Sequence, residues 1–200
     1  MDVKGSDVRG KLAFVACLLP AAWLGFAALT DRLGANPIEA VTRGLGDWAL
    51  RFLLITLAVT PLVRRTGWTW WMRKRRMLGL FAFFYASLHL LGYLWLDQFF
   101  DWSEIGRDIL KRPFITLGML SWLLLVPLAA TSTRAMMRRL GRHWKRLHRM
   151  IYVIAPLAVV HCFLLVKADW REPLLYLLIT LILLGLRLPI LVTRGRQPAT

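Results

Sequence analysis

The sequence predicts an all-α membrane protein, a bundle of six transmembrane helices that begins and ends on the cytoplasmic side. Hydrophobic residues make up 58% of the 200 residues, and the mean hydropathy is +0.53. Such values are typical of chains whose solvent is lipid. The apolar residues also fall into runs that approach the roughly 17–25 residues a helix needs to cross a bilayer.

Six such runs are the predicted spans. The first follows Lys4, Arg9 and Lys11 and is longer than the core of a cleaved signal peptide, so we interpret it as a helix that stays in the membrane. The second is short and carries Arg51 near one end, where a long cationic side chain can reach the lipid headgroups. The predicted spans cover residues 12–29, 48–63, 77–96, 114–130, 150–166 and 174–192.

The charges between the spans predict their direction. The second-to-third and fourth-to-fifth connections are rich in arginine and lysine and contain no Asp or Glu. Short cationic connections stay in the cytoplasm. Every acidic residue other than Asp2 and Asp7 falls in the other three connections, which we place in the periplasm. The chain is then expected to be a multi-pass protein of the bacterial inner membrane with no acidic residue inside a span.

Composition argues against several other classes of protein. The net charge of +16 suggests a nucleic-acid partner, but the basic residues stand in short blocks between apolar runs. Cys17 and Cys162 lack partners at metal-ligand spacing, so we expect no disulfide framework and no zinc site. Neither belongs to a Cys-x-x-Cys-His motif, so any haem is held without covalent attachment. No internal repeat stands out, and we interpret residues 1–200 as one domain.

Two histidines are predicted to lie deep in the membrane. His89 is about 18 Å along the third span and His161 is about 16 Å along the fifth, counted from the cytoplasmic end. Ionisable side chains inside a membrane are costly and usually functional, and two imidazoles at one depth are suited to axial ligation of one iron. Tyr85, Ala86, Gly92 and Tyr93 share the helix face of His89, and Ala158 precedes His161 by one turn; the small residues leave room for a flat macrocycle. The alternative is that each imidazole only hydrogen-bonds a neighbouring helix.

Three further cationic or titratable side chains lie nearer the cytoplasmic face. His148 is about 20 Å before His161 on the same helix, where a second haem would fit, but thirteen positions leave the two rings about 140° apart. His143 is expected to be exposed to solvent. Arg187 is expected to extend to the headgroups from the sixth span.

Two segments of the chain form a recognisable pattern. They are residues 144–152, Trp-Lys-Arg-Leu-His-Arg-Met-Ile-Tyr, followed by His161, and residues 76–80, Arg-Met-Leu-Gly-Leu, leading to His89. In these segments the chain resembles the MsrQ family, which belongs to the ferric-reductase-like transmembrane proteins. The resemblance implies that electrons enter from quinol or a cytoplasmic flavin reductase, pass through one or two b-type haems, and reach MsrP, a periplasmic molybdopterin subunit that reduces methionine sulfoxide in oxidised proteins. It also implies that His89, His148 and His161 bind haem iron, and that FMN is a further cofactor.

The chain departs from the related oxidases in two respects. Arg76, rather than a histidine, stands thirteen residues before His89, so an inner haem on His148 would lack its expected partner, or flavin would occupy the inner site. No Gly-x-Gly-x-x-Gly motif follows a strand, and too few residues follow Val192 for a flavin and nicotinamide domain, so we expect a separate electron donor. Arg76 and its cationic neighbours would suit an anionic cofactor group, although anionic membrane lipid also explains them.

Two other functions remain open at this stage. A stand-alone ferric or cupric reductase would use the same histidines without a periplasmic subunit. A non-redox transporter or assembly factor would use the histidines to bind protons or pair helices. The expected absence of acidic residues from the spans weakens proton transport.

Overall fold

A computed structural model describes residues 3–166 and 169–187, with side chains from residue 8 onward. The described part is helical throughout, with short connections. Its elements in chain order are α1 (Val3–Leu29), α2 (Pro37–Thr66), α3 (Trp70–Leu91), which continues as a π-helix (Gly92–Asp97), α4 (Trp102–Lys111), α5 (Pro113–Ala130), α6 (Arg134–Leu140), α7 (Arg142–Leu147), a 3₁₀ turn (His148–Met150), α8 (Ile151–Leu165) and α9 (Arg171–Gly185).

Five helical segments are long and apolar enough to cross a membrane, and the protein is therefore a multi-pass membrane protein. They are Val8–Leu29, Pro37–Thr66, Trp70–Asp97, Pro113–Ala130 and Arg142–Leu165. The predicted sixth span coincides with α9 as far as Gly185, but its residues 188–192 lie outside the described part. Six spans with both termini inside therefore stay a prediction.

The second span begins much earlier than predicted, at Pro37 instead of residue 48. Asn36 caps the helix, because its side-chain oxygen accepts a hydrogen bond from the Glu39 amide at 3.2 Å, and proline is favourable at the first helical position. Arg43 then pairs with Glu39 one turn on, at 2.8 Å. The charged residues that suggested a loop are thus on the first turns of α2.

The fifth span also begins earlier than predicted. α7, the 3₁₀ turn and α8 form one segment, Arg142–Leu165, so the cationic residues before position 150 are helical. His143 is in α7 and is exposed, as predicted.

The helices pack in two pairs, α2 with α3 and α5 with α8, and α9 lies against α8. The most deeply buried side chains include Leu57, Tyr85, Ile154 and Val159. The Tyr85 hydroxyl is inserted into the hydrogen-bond ladder of α1: it donates to the Cys17 carbonyl at 2.8 Å and accepts from the Ala21 amide at 3.0 Å. The Tyr85 hydroxyl therefore links α1 to α3, the helix that also carries His89.

The bundle has a basic end and an acidic end. The basic end comprises the α2–α3 connection, helices α6 and α7, and the arginines that flank them. The acidic end comprises residues 30–36, residues 98–112, which include α4, and residues 169–170 before α9. We use these two names because the direction of the chain across the membrane is a prediction.

Arg187 corrects one expectation, because it does not extend to the membrane surface. Its side chain is only 2% exposed and lies over the Tyr152 ring, 5.8 Å from the ring centre. It donates to the Tyr152 hydroxyl at 3.3 Å and to the Leu57 carbonyl. These partners on α8 and α2 satisfy part of the guanidinium inside the bundle, so the side chain faces inward.

Candidate functional site

The structure brings His89 on α3 and His161 on α8 together near the acidic end. Their ring centres are 6.1 Å apart and their planes are inclined at 75°. Two imidazoles on opposite sides of one metal ion, each bonded at about 2 Å, would have ring centres roughly 6 Å apart. The pair therefore has the separation that axial ligation of one iron requires.

Each imidazole is oriented by a backbone carbonyl of a neighbouring helix. His89 Nδ1 lies 2.7 Å from the Thr42 carbonyl oxygen, and His161 Nδ1 lies 2.6 Å from the Phe114 carbonyl oxygen. A carbonyl oxygen only accepts, so each Nδ1 carries the proton. The other ring nitrogen, Nε2, then keeps a lone pair for a metal, the usual arrangement of metal-binding histidines. The hydrogen bonds to other helices exist, as the alternative interpretation expected, and they leave a ligand atom on each ring.

The two rings line a largely apolar cavity of about 620 Å³, within the roughly 300–1,000 Å³ range of cofactor pockets. Small residues from four helices contribute to its wall, namely Gly46, Ala82, Ala86, Gly118 and Ala158. Ala86, Ala158 and Tyr93 line the cavity, as expected for neighbours of the histidines. Tyr85 and Gly92 do not, because Tyr85 is bound to α1 and Gly92 packs against Thr42. A flat macrocycle between the histidines fits this donor set and this lining.

The mouth of the cavity is polar. Glu39, Arg43, Asp47, Asp97 and Arg112 line it. Glu39 and Asp47 are on α2, within a segment long and apolar enough to cross a membrane, whereas the predicted second span started at residue 48 and left both residues in a connection. Arg51, one turn further along α2, hydrogen-bonds the Tyr176 hydroxyl at 2.9 Å and lies 3.6 Å from Glu172.

A buried carboxylate connects the cavity wall to α4. Asp108 accepts from the Tyr93 hydroxyl at 3.1 Å and from the Gln98 amide at 3.3 Å, and it pairs with Arg112 at 3.0 Å. Tyr93 lies in the π-helix that follows His89, and such wide turns recur at functional sites. The network joins the end of α3, α4 and the start of α5.

His148 and Arg76 lie apart from this pair, at the basic end. The His148 ring stacks on Trp144 with the ring centres 3.9 Å apart, and its Nδ1 lies 3.2 Å from the Trp144 carbonyl oxygen. Its Nε2 is buried without a hydrogen-bond partner. Arg76 is exposed and lines a separate cavity of about 320 Å³ with Ser132 and Arg134.

The site contains an internal repeat, which corrects the expectation that none was present. The same four positions occur once in α2 and α3 and again in α5 and α8. They are a residue whose backbone carbonyl binds the histidine, a glycine four positions later, an alanine and the histidine itself. The two sets are Thr42, Gly46, Ala86, His89 and Phe114, Gly118, Ala158, His161, with a constant offset of 72 positions. The two carbonyl groups cannot be recognised in a sequence. The two glycines could have been found, because they are separated by the same 72 positions as the two histidines.

Fold and site together define a multi-pass membrane protein that presents two partly buried imidazoles across one cavity. Residues 45–159 match the family described as "Ferric reductase like transmembrane component". The chain is 55% identical to a protein of Rhodospirillum rubrum over 98% of the chain and 97% of that relative. It is 51% identical to a protein of Herminiimonas arsenicoxydans over 88% of the chain and 82% of the relative, and 54% identical to one of Caulobacter vibrioides over 82% and 79%. All three are named "Protein-methionine-sulfoxide reductase heme-binding subunit MsrQ". The chain belongs to the MsrQ family of ferric-reductase-like membrane proteins.

Proposed function

We propose that this protein is the haem-binding membrane subunit of a methionine-sulfoxide reductase system, with His89 and His161 as the axial ligands of a b-type haem. The observation that carries the proposal is the pair of imidazole rings 6.1 Å apart, each with Nδ1 bound to a carbonyl oxygen. The names of the relatives support it.

The chain's own groups prepare the cavity for such a cofactor. A bound b-type haem would supply one-electron transfer between ferric and ferrous iron. The Thr42 and Phe114 carbonyls hold the Nδ1 protons, which raises the basicity of Nε2 as a ligand. Apolar walls exclude water and so limit the solvation that influences the redox potential.

The charge distribution supports a proposed direction of electron flow. The cavity opens at the acidic end, which the positive-inside rule assigns to the periplasm. We propose that electrons enter at the basic end from quinol or a cytoplasmic flavin reductase and leave to MsrP, the periplasmic molybdopterin subunit. The chain then acts as the electron-transfer subunit in the inner membrane, with six spans in one domain, and sulfoxide chemistry belongs to the partner.

A second cofactor site is proposed at the basic end. The buried Nε2 of His148 makes no regular hydrogen bond, although the Leu128 backbone lies within reach of the ring, and this nitrogen could bind a metal if the proton is on Nδ1. Arg76 stands 72 positions before His148, so the internal repeat makes it the counterpart of this histidine. We propose that His148 and Arg76, both at the basic end, serve a second haem or the flavin FMN.

The first test is the reduced-minus-oxidised visible spectrum of the purified protein, with pyridine haemochrome quantification. We expect a b-type signal. A folded protein that stays colourless when haem is supplied would contradict the proposal and favour the transporter or assembly-factor alternative.

A second test distinguishes the system from a stand-alone metal reductase. Chemically reduced protein is mixed with purified periplasmic molybdopterin subunit and methionine sulfoxide, and reoxidation of the haem band is followed. Rapid reoxidation is expected only with both additions. Reoxidation by chelated ferric or cupric ions, with none by the subunit and sulfoxide, would support the stand-alone reductase instead.

A further inference from the structure

Gly46 and Gly118 occupy equivalent places in the two halves of the site. Each is four residues after the carbonyl group that binds a histidine, and each is packed under the histidine ring. The sequence separation between histidine and carbonyl residue is 47 in both halves. One local geometry is thus built twice, from different helices.

Helix geometry explains why glycine stands at this place. The Cα–Cβ bond of a helical residue is tilted toward the N-terminus, so a side chain covers the turn before it, which includes the carbonyl four residues back. Glycine has no Cβ and leaves that carbonyl open to a second donor from the side. The imidazole can then approach an oxygen that a regular helix already uses for its own ladder.

The available space supports this explanation. A Cβ at position 46 would lie 3.0 Å from His89 Nδ1, and a Cβ at position 118 would lie 2.8 Å from His161 Cε1. Gly79, also inside the bundle, is different, because its Cβ would meet only a Thr56 methyl group at 3.6 Å, an ordinary contact. Other glycines of the described part, such as Gly44 and Gly92, are as closely packed, but against Leu24 and Thr42. Among the described glycines, only at positions 46 and 118 would a Cβ meet a histidine ring.

We propose that Gly46 and Gly118 are positioning residues of the haem site, which set the plane and the Nδ1–carbonyl hydrogen bond of one axial imidazole each. Because the role concerns axial ligands, it rests on the proposed function. The two glycines should be interchangeable in effect, since each serves one side of the same iron.

The spectroscopic test compares Gly46→Ala and Gly118→Ala with Gly79→Ala in purified, haem-loaded protein. Axial rings that are close to perpendicular give low-spin ferric haem with a characteristic largest g value in electron paramagnetic resonance. We expect both site variants to shift or lose this feature and to change the midpoint potential, while Gly79→Ala keeps the wild-type values. Wild-type g values and potentials in both site variants would overturn the inference. A wild type without haem would instead overturn the proposed function.

A thermal-stability test does not depend on haem. Gly46→Ala is made in the wild-type, His89→Ala and His161→Ala backgrounds, and the melting temperature is measured in detergent. We expect the added methyl group to lower it in the wild type and with His161→Ala, where the His89 ring is present, but not with His89→Ala. An equal loss in all three backgrounds would show that the ring is not the group that the methyl meets, and would overturn the inference.

Discussion

The two ends of this bundle hold their histidines in opposite ways. At the acidic end, His89 and His161 face each other, and each Nδ1 is bound to a carbonyl oxygen. At the basic end, His148 has no histidine opposite, and its Nε2 is buried without a partner. Since the internal repeat relates His148 to Arg76, the same helical framework carries one complete pair and one incomplete pair.

The helical framework alone therefore does not determine whether a pair of ligands is present. The positions of His148, in the 3₁₀ turn, and of His161, in α8, are both repeated in α3, but only one of the α3 positions holds histidine. An arginine cannot lose its proton in a protein and lacks the lone pair that imidazole offers to a metal. Four predictions test this contrast, beginning with the change that should disturb the haem site most.

The complete pair should fail when either member is removed. His89→Ala or His161→Ala is expected to abolish the low-spin b-type signal of the acidic-end site, because each change removes one axial ligand. Visible and electron paramagnetic resonance spectra of purified variants measure this loss. His143→Ala, which changes an exposed histidine, is the control and should keep the full signal. A wild-type spectrum in either variant would remove that histidine from the ligand set.

The incomplete pair at the basic end should contribute less to the haem content and to the spectrum. His148→Ala is expected to leave the acidic-end signal intact and to lower total haem by one equivalent at most, because His148 lies in a separate region of the bundle. Haem per protein and the spectrum are measured together. Complete loss of haem from His148→Ala would show that the two ends form one site, and the contrast between the two ends would then be wrong.

The acidic end should depend on its buried carboxylate for stability. Asp108→Asn is expected to reduce the free energy of unfolding by about 1–3 kcal/mol, because the ion pair with Arg112 and an acceptor for Tyr93 or Gln98 are weakened. Thermal unfolding in detergent tests this. Glu104→Gln, in an exposed pair with Arg107, is the matched control and should have little effect. Equal effects of the two changes would mean that the Asp108 network does not stabilise the cavity wall.

The exposed ion pair at the start of α2 should have the smallest effect on stability. Glu39→Gln removes an exposed ion pair with Arg43 and is expected to cost less than about 1 kcal/mol. High salt should reduce even this effect, because exposed charges are screened. A loss comparable to that of Asp108→Asn would indicate that Glu39 has a role in the site beyond its ion pair.

Sequence reasoning located the apolar cores of five candidate spans and brought His89 and His161 to matching places, because hydropathy and the rise of a helix can be counted along the chain. The equal depth of His89 and His161 followed from counting residues. The start of α2 was missed because Glu39, Arg43 and Asp47 resemble loop charges until the Asn36 cap and the cavity mouth are known. Arg187 was misplaced because its inward partners, Leu57 and Tyr152, belong to other helices. The carbonyl groups of Thr42 and Phe114 could not be predicted, because every residue has a backbone carbonyl and its role depends on the fold.

The twofold construction of the cavity has a consequence for its smallest working unit. The α2–α3 pair alone contains an open carbonyl, its glycine and one imidazole, which is half of the ligand set. Two copies of that hairpin, arranged about an axis along the bundle, would supply both axial ligands with no contribution from α1, α4 or α9. A peptide of about 60 residues, dimerised in a membrane, is therefore a rational minimal design for a b-type haem carrier.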